Sequence, residues 1–348
     1  MSLVNRFLKP TKLVVPVSVK GVWKQTRNRS LVEVWIFLLL SLPVSAFVGE
    51  SASFPRLLSE LRMTSKSEQP LSLGIISFDL DDTLFSTNAV IRDANQAMLE
   101  KMRRHGVHVQ EEDFMDVTRH IRRSMDGPIT YTSLRKMTIA QILSMTNVSS
   151  KEDCDALVDE CFDVWLHERH RAAERHLFPQ TLNCLSTLKE MYPDVCFAAI
   201  TNGRGNPLYM PTLANFFDFC VSGEDDGVFP ERKPAPGIYE ASLSKYKDLY
   251  PHHDHDSRIW IHVGDCLVND VGASANVGAY AVWLSGQADA VVPKWSTATT
   301  SEQNARQLKE EDGREKIAVR ISCLSELPAA VLDLVGGAMQ PVPLNSLS

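Results

Sequence analysis

Two aspartates separated by one residue, Asp79 and Asp81, stand in the run FDLDDTLF (residues 78–85), directly after a short apolar stretch. That stretch reads as a buried strand, and open α/β sheets bind their ligands at the carboxyl ends of such strands. A carboxylate placed there can attack phosphorus and form an acyl phosphate, splitting one difficult displacement into two easier ones. Asp79 is the candidate nucleophile. The leaving alcohol needs a proton and the water of the second step must give one up, so Asp81 is the candidate acid and base. Asp82 reads as a cap for the turn or helix that follows, a frequent use of an acidic residue after a strand.

Three further stretches supply what this chemistry needs. In AAITNGRG (198–205) the Thr201 hydroxyl can donate to a phosphate oxygen, and the backbone amides of Asn202 and Gly203 can point at the same anion. By itself TNG describes an ordinary turn equally well. Lys233, in PERKPAPGIYE before a helix expected to start near Pro236, offers a fixed cation that holds a dianionic phosphoryl group beside Asp79. In IHVGDCLVNDVGAS (261–274), Asp265 and Asp270 follow another apolar strand and flank a loop. Magnesium takes oxygen ligands and is commonly held by one or two carboxylates together with substrate phosphate. The ligand candidates for Mg2+ are therefore Asp79, Asp81, Asp265 and Asp270, with Asp79 and Asp265 fitting best. For Asp270, orienting a metal-bound water or Lys233 and capping the next helix are equally good readings. Cys266, with no histidine partner placed for it, reads as a small filler of the tight loop.

The elements that must position these residues alternate short apolar runs with helical patterns, the arrangement of a parallel sheet wrapped by helices. Strands are expected at 73–78, 195–200, 219–223, 258–263, 280–284 and 318–322, each nearly continuous in apolar character as strands buried on both faces should be. Between the first two lies a separate helical module, residues 88–176, with Gly106 as a helix stop and a Ser149/Glu152 capping box before DALVDECFDVWLHERH. The polar stretch 287–316 reads as a surface loop insertion and 335–348 as a tail. The fold class expected is α/β: a Rossmann-like parallel sheet core, residues 71–87 and 177–334, carrying an inserted helical domain.

In residue type and in order, FDLDDTLF, ITNG, the RKP lysine and VGDCLVND resemble the haloacid dehalogenase-like hydrolase superfamily, over roughly residues 71–334. The resemblance implies a Rossmann-like core, a helical cap over it whose residues choose the substrate, and Mg2+-dependent hydrolysis of a small-molecule phosphate ester. Within the superfamily, FDLDDTLFSTNAVI, ITNGRGNP, NFFDF and HVGDCLVNDVGA look most like flavin-pathway phosphatases acting on FMN or 5-amino-6-(5-phosphoribitylamino)uracil. The same residues suit a sugar-phosphate phosphatase or mutase, and a catalytically silent relative that binds its ligand without turnover. In the helical module Tyr131, Thr132 and Arg135, beside the Gly127–Pro128 break, are better placed for substrate than Arg119, Arg122 and Arg123. Trp165, Trp260 and Trp283 read as core rather than as a flavin platform.

The whole chain sets outer bounds. Its 348 residues allow two domains plus extra segments at roughly 100 to 200 residues per domain. A net charge of -7 gives no electrostatic footprint for nucleic acid. Seven scattered cysteines without a CxxC pair read as reduced thiols. Residues 1–70 have a targeting layout: basic residues, then VWIFLLLSLPVSAFV (34–48), then a Ser-rich stretch. The apolar run is shorter than the ~20 residues of a membrane span and contains Pro43, so no stable span is expected in the mature chain. Val44-Ser45-Ala46 suits a signal peptidase, and the junction resembles two-part presequences for plastid import. A membrane-anchored or mis-started N-terminus on a cytoplasmic enzyme is the plainer reading.

Overall fold

In the computed structural model of the protein, residues 72–145, 151–286 and 309–337 are described. The presequence reading, Ser149 of the expected capping box, and residues 287–308 and 338–348 lie outside them. Six strands form one sheet: β1 (Ser72–Phe78), β2 (Cys196–Thr201), β3 (Phe219–Ser222), β4 (Arg258–Gly264), β5 (Tyr280–Leu284) and β6 (Ile317–Ile321). Their spatial order is β3-β2-β1-β4-β5-β6 and every pairing is parallel. All six lie within a residue of the ranges read from the sequence.

The apolar continuity of these strands has a direct cause in the packing. In β2 all six residues are buried. Phe197 and Ala199 enter one core with Ile76, Phe78, Ile259, Ile261 and Val263, whereas Cys196, Ala198 and Ile200 enter another with Ile75 and Trp260. Side chains alternate across a strand, so a sheet covered on both faces needs apolar residues at every position. Among the six strands only β6, at the edge, carries a fully exposed side chain, Arg320.

The insert within the long connection from β1 to β2 contains α1 (Thr87–Arg104), α2 (Glu111–Ser124), α3 (Tyr131–Ser144) and α4 (Lys151–Arg175). They bury a core of their own: Ile91, Met98 and Met102 of α1 and Phe114 of α2 meet Ile139 and Leu143 of α3 and Phe162 and Trp165 of α4. Each such side chain gains about 1.5–3 kcal/mol on burial, enough to give the insert cohesion independent of the sheet. The start of α1 is fixed by Asp82, whose Oδ1 accepts from the Thr87 amide at 2.9 Å, the capping role read for it. Its end is fixed by Gly106 at φ +78, where the amides of Gly106 and Val107 return to the carbonyls of Arg103 and Met102.

After α4 the chain adds α5 (Thr181–Met191), which covers one sheet face together with α7 (Leu327–Val335), and α6 (Gly237–Leu249), which covers the other with Ile238, Tyr239 and Tyr246. α6 begins after Pro236 as expected. One reading changes. The end of the stretch read as a surface loop, residues 309–315, is helical, and Gly313 packs so close to the Leu267 carbonyl that an added Cβ would sit 2.2 Å from its oxygen. Its many charged side chains gave it the composition of a loop, while its backbone lies against the turn that follows β4. Among the described residues no helix is long and apolar enough to cross a membrane.

Candidate active site

The strand order reverses between β1 and β4: the chain continues outward from β1 through β2 and β3 on one side, and through β5 and β6 on the other. The carboxyl ends of these two strands flank the crevice that such a reversal opens. Asp79 follows β1 directly, its amide donating to the Val263 carbonyl at 2.9 Å, and Asp265 lies two residues beyond that carbonyl. Carboxylate oxygens of Asp79, Asp265 and Asp270 all fall within 4.8 Å of one another.

Lys233 closes the group. Its ammonium donates to Asp79 Oδ1 and Asp270 Oδ1, both at 2.8 Å, with the lysine only 3% exposed. Asn202 fixes the backbone there, its Nδ2 donating to the Lys233 carbonyl at 2.9 Å. The charges do not balance locally. Burial, aided by Asp270 and Asp81 and opposed by Lys233, pushes the Asp79 carboxyl up to about 7. Burial and the neighbouring Asp270, Asp79 and Asp82 push Asp265 well above the usual carboxylate range. For Asp270 burial also pushes upward, yet Lys233 and His262 outweigh it and hold the carboxyl below its ordinary value. The Lys233 ammonium, which burial alone would weaken, is held well above its ordinary value by Asp270 and Asp79.

Three carboxylates sharing one ammonium in a buried crevice leave a surplus of negative charge that a divalent cation relieves. An all-oxygen donor set suits Mg2+, so the residues fit this ion. Asp79 and Asp265 would hold it. Asp270 is already engaged at both oxygens, Oδ1 by Lys233 and Oδ2 by the Cys266 amide at 3.0 Å, so its geometry serves Lys233 and the loop. Asp81, read from the sequence among the ligand candidates, stands outside the three-carboxylate group and turns to Arg169. Cys266 does more than fill space: its Sγ accepts from the Asn269 amide at 3.3 Å and caps the turn.

The Thr201–Gly203 turn at the end of β2 lies beside Asp81. A Cβ on Gly203 would sit 3.9 Å from Asp81 Oδ2. Thr201 is buried and its Oγ1 accepts from the Gly203 amide at 3.2 Å, so of the amides read as phosphate donors this one is turned inward. Beneath the site runs a buried polar chain. Trp260 Nε1 donates to Ser77 Oγ at 2.6 Å, Ser77 Oγ meets His262 Nδ1 at 2.7 Å, and His262 Nε2 faces Asp270 Oδ1 at 3.5 Å. Burial pulls His262 down to about 4, which keeps the ring neutral. The Ser77 proton then goes to Nδ1, and the Nε2–H points at Asp270.

Several side chains here escape a reading of the sequence. Arg169 of α4, 2% exposed, donates from Nη2 to Asp81 at 2.9 Å (Oδ1) and 2.8 Å (Oδ2). It sits in the charged run HERHRAAER, which reads as a solvated face. The available signal was its place four residues after Trp165 and three before Ala172, on the apolar stripe of the helix. Glu224, after β3, accepts from the amides of Tyr131 and Thr132 and from the Thr132 hydroxyl, and Arg232 donates to the Ile129 carbonyl at 2.6 Å. These two core residues fasten the start of α3, so Tyr131 and Thr132 serve as an attachment point. Arg135 lies 3.9 Å from the Trp165 ring centre and donates to Asn95 Oδ1 at 2.9 Å. Arg119 pairs with Asp116 on its own helix at 2.6 Å, and Arg123 is exposed. Trp165 and Trp260 are core, whereas the half-buried Trp283 donates to the Asp265 carbonyl at 2.9 Å.

The chain is 25% identical over 235 residues, 65% of its length and 89% of the relative's, to the 5-amino-6-(5-phospho-D-ribitylamino)uracil phosphatase YigB of Escherichia coli (strain K12). It is 23% identical over 220 residues, 61% of its length and 81% of the relative's, to a glyceraldehyde 3-phosphate phosphatase of Pyrococcus abyssi. Its fold is similar to that of a 2-haloacid dehalogenase from Pseudomonas syringae pv. Tomato DC3000, with a TM-score of 0.54 and 23% identity, covering 75% of this chain and 99% of that one. Residues 73–278, which span β1 through the turn after β4, match the haloacid dehalogenase-like hydrolases, and the chain belongs to that family.

Proposed function

We propose that the protein is a Mg2+-dependent phosphatase that hydrolyses a small phosphomonoester through a phosphoryl group carried on Asp79. A carboxylate oxygen of Asp79 attacks phosphorus, the bond to the leaving oxygen breaks, and Asp81 gives that oxygen its proton. Water then attacks the same phosphorus as Asp81 takes its proton, the bond to Asp79 breaks, and phosphate leaves with both aspartates restored. Mg2+ held by Asp79 and Asp265 would supply charge neutralisation on the phosphoryl oxygens. Lys233 holds the dianion against Asp79, Thr201 and the Asn202 amide receive its oxygens, and the helical insert acts as a cap that excludes bulk water.

The observation that carries this reading is the buried meeting of Asp79, Lys233 and Asp265, because a nucleophile, a fixed cation and a cation ligand serve phosphoryl transfer together. A dehalogenase would need neither Asp81 as a proton relay nor Asp265 as a ligand. Within the class we place flavin-pathway esters first, on the motif likeness and on the named activity of the Escherichia coli relative. The test is phosphate release, with Mg2+, from 5-amino-6-(5-phosphoribitylamino)uracil, FMN, glyceraldehyde 3-phosphate and common sugar phosphates. Turnover by the wild-type chain and none by Asp79→Asn is the expected result. Turnover that survives Asp79→Asn removes the nucleophile, and preference for a sugar phosphate replaces the flavin assignment while keeping the mechanism. Transfer of the phosphoryl group to a second sugar instead of water identifies a mutase. Plastid import, proposed from residues 1–70, is tested by a fluorescent fusion of residues 1–72, and a diffuse cytosolic signal rejects it.

A further inference from the structure

Arg169 is the side chain at this site that the steps above leave without a task. Both oxygens of Asp81 receive its Nη2, and the other partner of Asp81 is the Thr87 hydroxyl, 3.3 Å from Oδ1. Arg169 belongs to α4 and Thr87 opens α1, so the acid–base candidate of the core is gripped by the first and last helices of the insert. The guanidinium pays for this position. Its Nη1 is buried and has no hydrogen-bond partner among the described residues, pressed against Gly205 where an added Cβ would lie 2.2 Å away. Buried donors are ordinarily satisfied, so an arginine selected for stability alone would sit where both nitrogens find acceptors.

We propose that Arg169 is a positioning residue for Asp81, aiming the carboxyl group for proton transfer only while the helical insert is seated on the core. The proposal rests on the phosphatase reading and adds to it a residue through which seating of the insert controls the acid–base step. An aspartate freed from both partners rotates about its side-chain bonds, and the share of productive geometry falls. General acid–base catalysis contributes about 10²–10⁴-fold, which sets the ceiling for what misplacing Asp81 can lose.

The experiment compares an alkyl phosphate, whose leaving oxygen needs a proton, with p-nitrophenyl phosphate, whose leaving group departs without one. In Arg169→Ala, kcat for the alkyl ester falls roughly 10- to 100-fold, while the burst of nitrophenolate that reports phosphorylation of Asp79 is retained. Arg169→Lys restores most of the loss, because a single nitrogen makes both contacts in the native arrangement. Gly205→Ala reproduces the loss at an unchanged melting temperature, since the new methyl displaces only the tip of a flexible side chain. A nitrophenolate burst slowed as much as phosphorylation by the alkyl ester, or a Gly205→Ala enzyme that behaves as wild type, overturns the proposal. A second measurement needs no turnover: the carbon-13 resonance of the Asp81 carboxyl, assigned by its absence in Asp81→Asn, moves in both Arg169→Ala and Gly205→Ala. A resonance that stays in place overturns the positioning role. A wild-type chain that releases no phosphate from any ester defeats the phosphatase reading, and the resonance still decides the role of Arg169.

Discussion

Lys233 holds apart two carboxylates that would otherwise face each other in a buried crevice, and it does so from a loop 154 residues beyond Asp79. Removing it leaves Asp79 and Asp270 buried without their cation. Breaking one side of a buried ion pair costs roughly 3–5 kcal/mol, so Lys233→Ala is expected to lose activity and that much unfolding free energy, read as a lower urea midpoint measured without added metal. An unchanged midpoint would mean that the carboxylates relax or take up protons freely. Asp79 and Asp265, which meet in the crevice, stood out in the sequence because each is an acidic residue just past an apolar run, where a buried strand must open into a loop. Arg169 and Glu224 did not, because a single charged residue in a charged helix or loop carries no mark of the partner it will meet across the fold. His262 was hidden for the opposite reason, being one polar residue inside a strand otherwise apolar throughout.

At the scale of elements, the insert is attached to the core at its corners. Glu224 and Arg232 hold the start of α3, Arg169 holds Asp81, and His170 of α4 accepts from the Asn206 amide through Nε2 at 3.3 Å. That last bond needs an unprotonated ring. Burial first, and then the charge of Arg169, pull His170 from its ordinary 6.5 down to about 4, while the unfolded chain takes up a proton near 6.5. Between these values the unfolded state binds more protons, so the contribution of His170 is complete above 6.5 and is lost as the pH falls toward 4. His262 follows the same course, pulled to about 4 by burial. The carboxyls of Asp79 and Asp265, raised in the folded chain, act in the opposite sense, so the share of His170 is read as a difference: from pH 7 to 4.5 the melting temperature of wild type should fall relative to that of His170→Gln, which keeps an acceptor that does not titrate. A slope identical to wild type would show that His170 does not contribute. The strands and α1 were legible because period and stop signals agree, as at Gly106. The helix at 309–315 was not, since its charged surface masks a backbone that packs on the turn after β4.

For the molecule as a whole, the proposed cation should stabilise the fold when it binds in the crevice. Asp79 and Asp265 are both pushed upward by burial and by acidic neighbours, and an ion that binds only the folded chain adds about 2.7 kcal/mol at a hundredfold excess over its Kd. Mg2+ should raise the melting temperature and a chelator lower it, with Asp265→Asn abolishing the response. Trp283 ties β5 to this site through the Asp265 carbonyl at 2.9 Å. Losing such an outer partner typically weakens metal binding 10- to 100-fold, so Trp283→Phe should need about tenfold more Mg2+ for the same rise, and an unshifted titration would count against the link.

The central place of β1 has a further effect, which falls on the newborn chain. β1 ends at Phe78, but its neighbours begin only at Cys196 and Arg258. At synthesis rates of about 5–20 residues per second, β4 follows β1 out of the ribosome with a delay on the order of ten seconds or more. Throughout that interval Ile75, Ile76 and Phe78 have an open edge on one side, which is when an unfinished protein is most exposed to aggregation and chaperone capture. Because Asp265 emerges with the end of β4, no translation product terminated before it can assemble the three-carboxylate group, which forms only once the sheet has both halves.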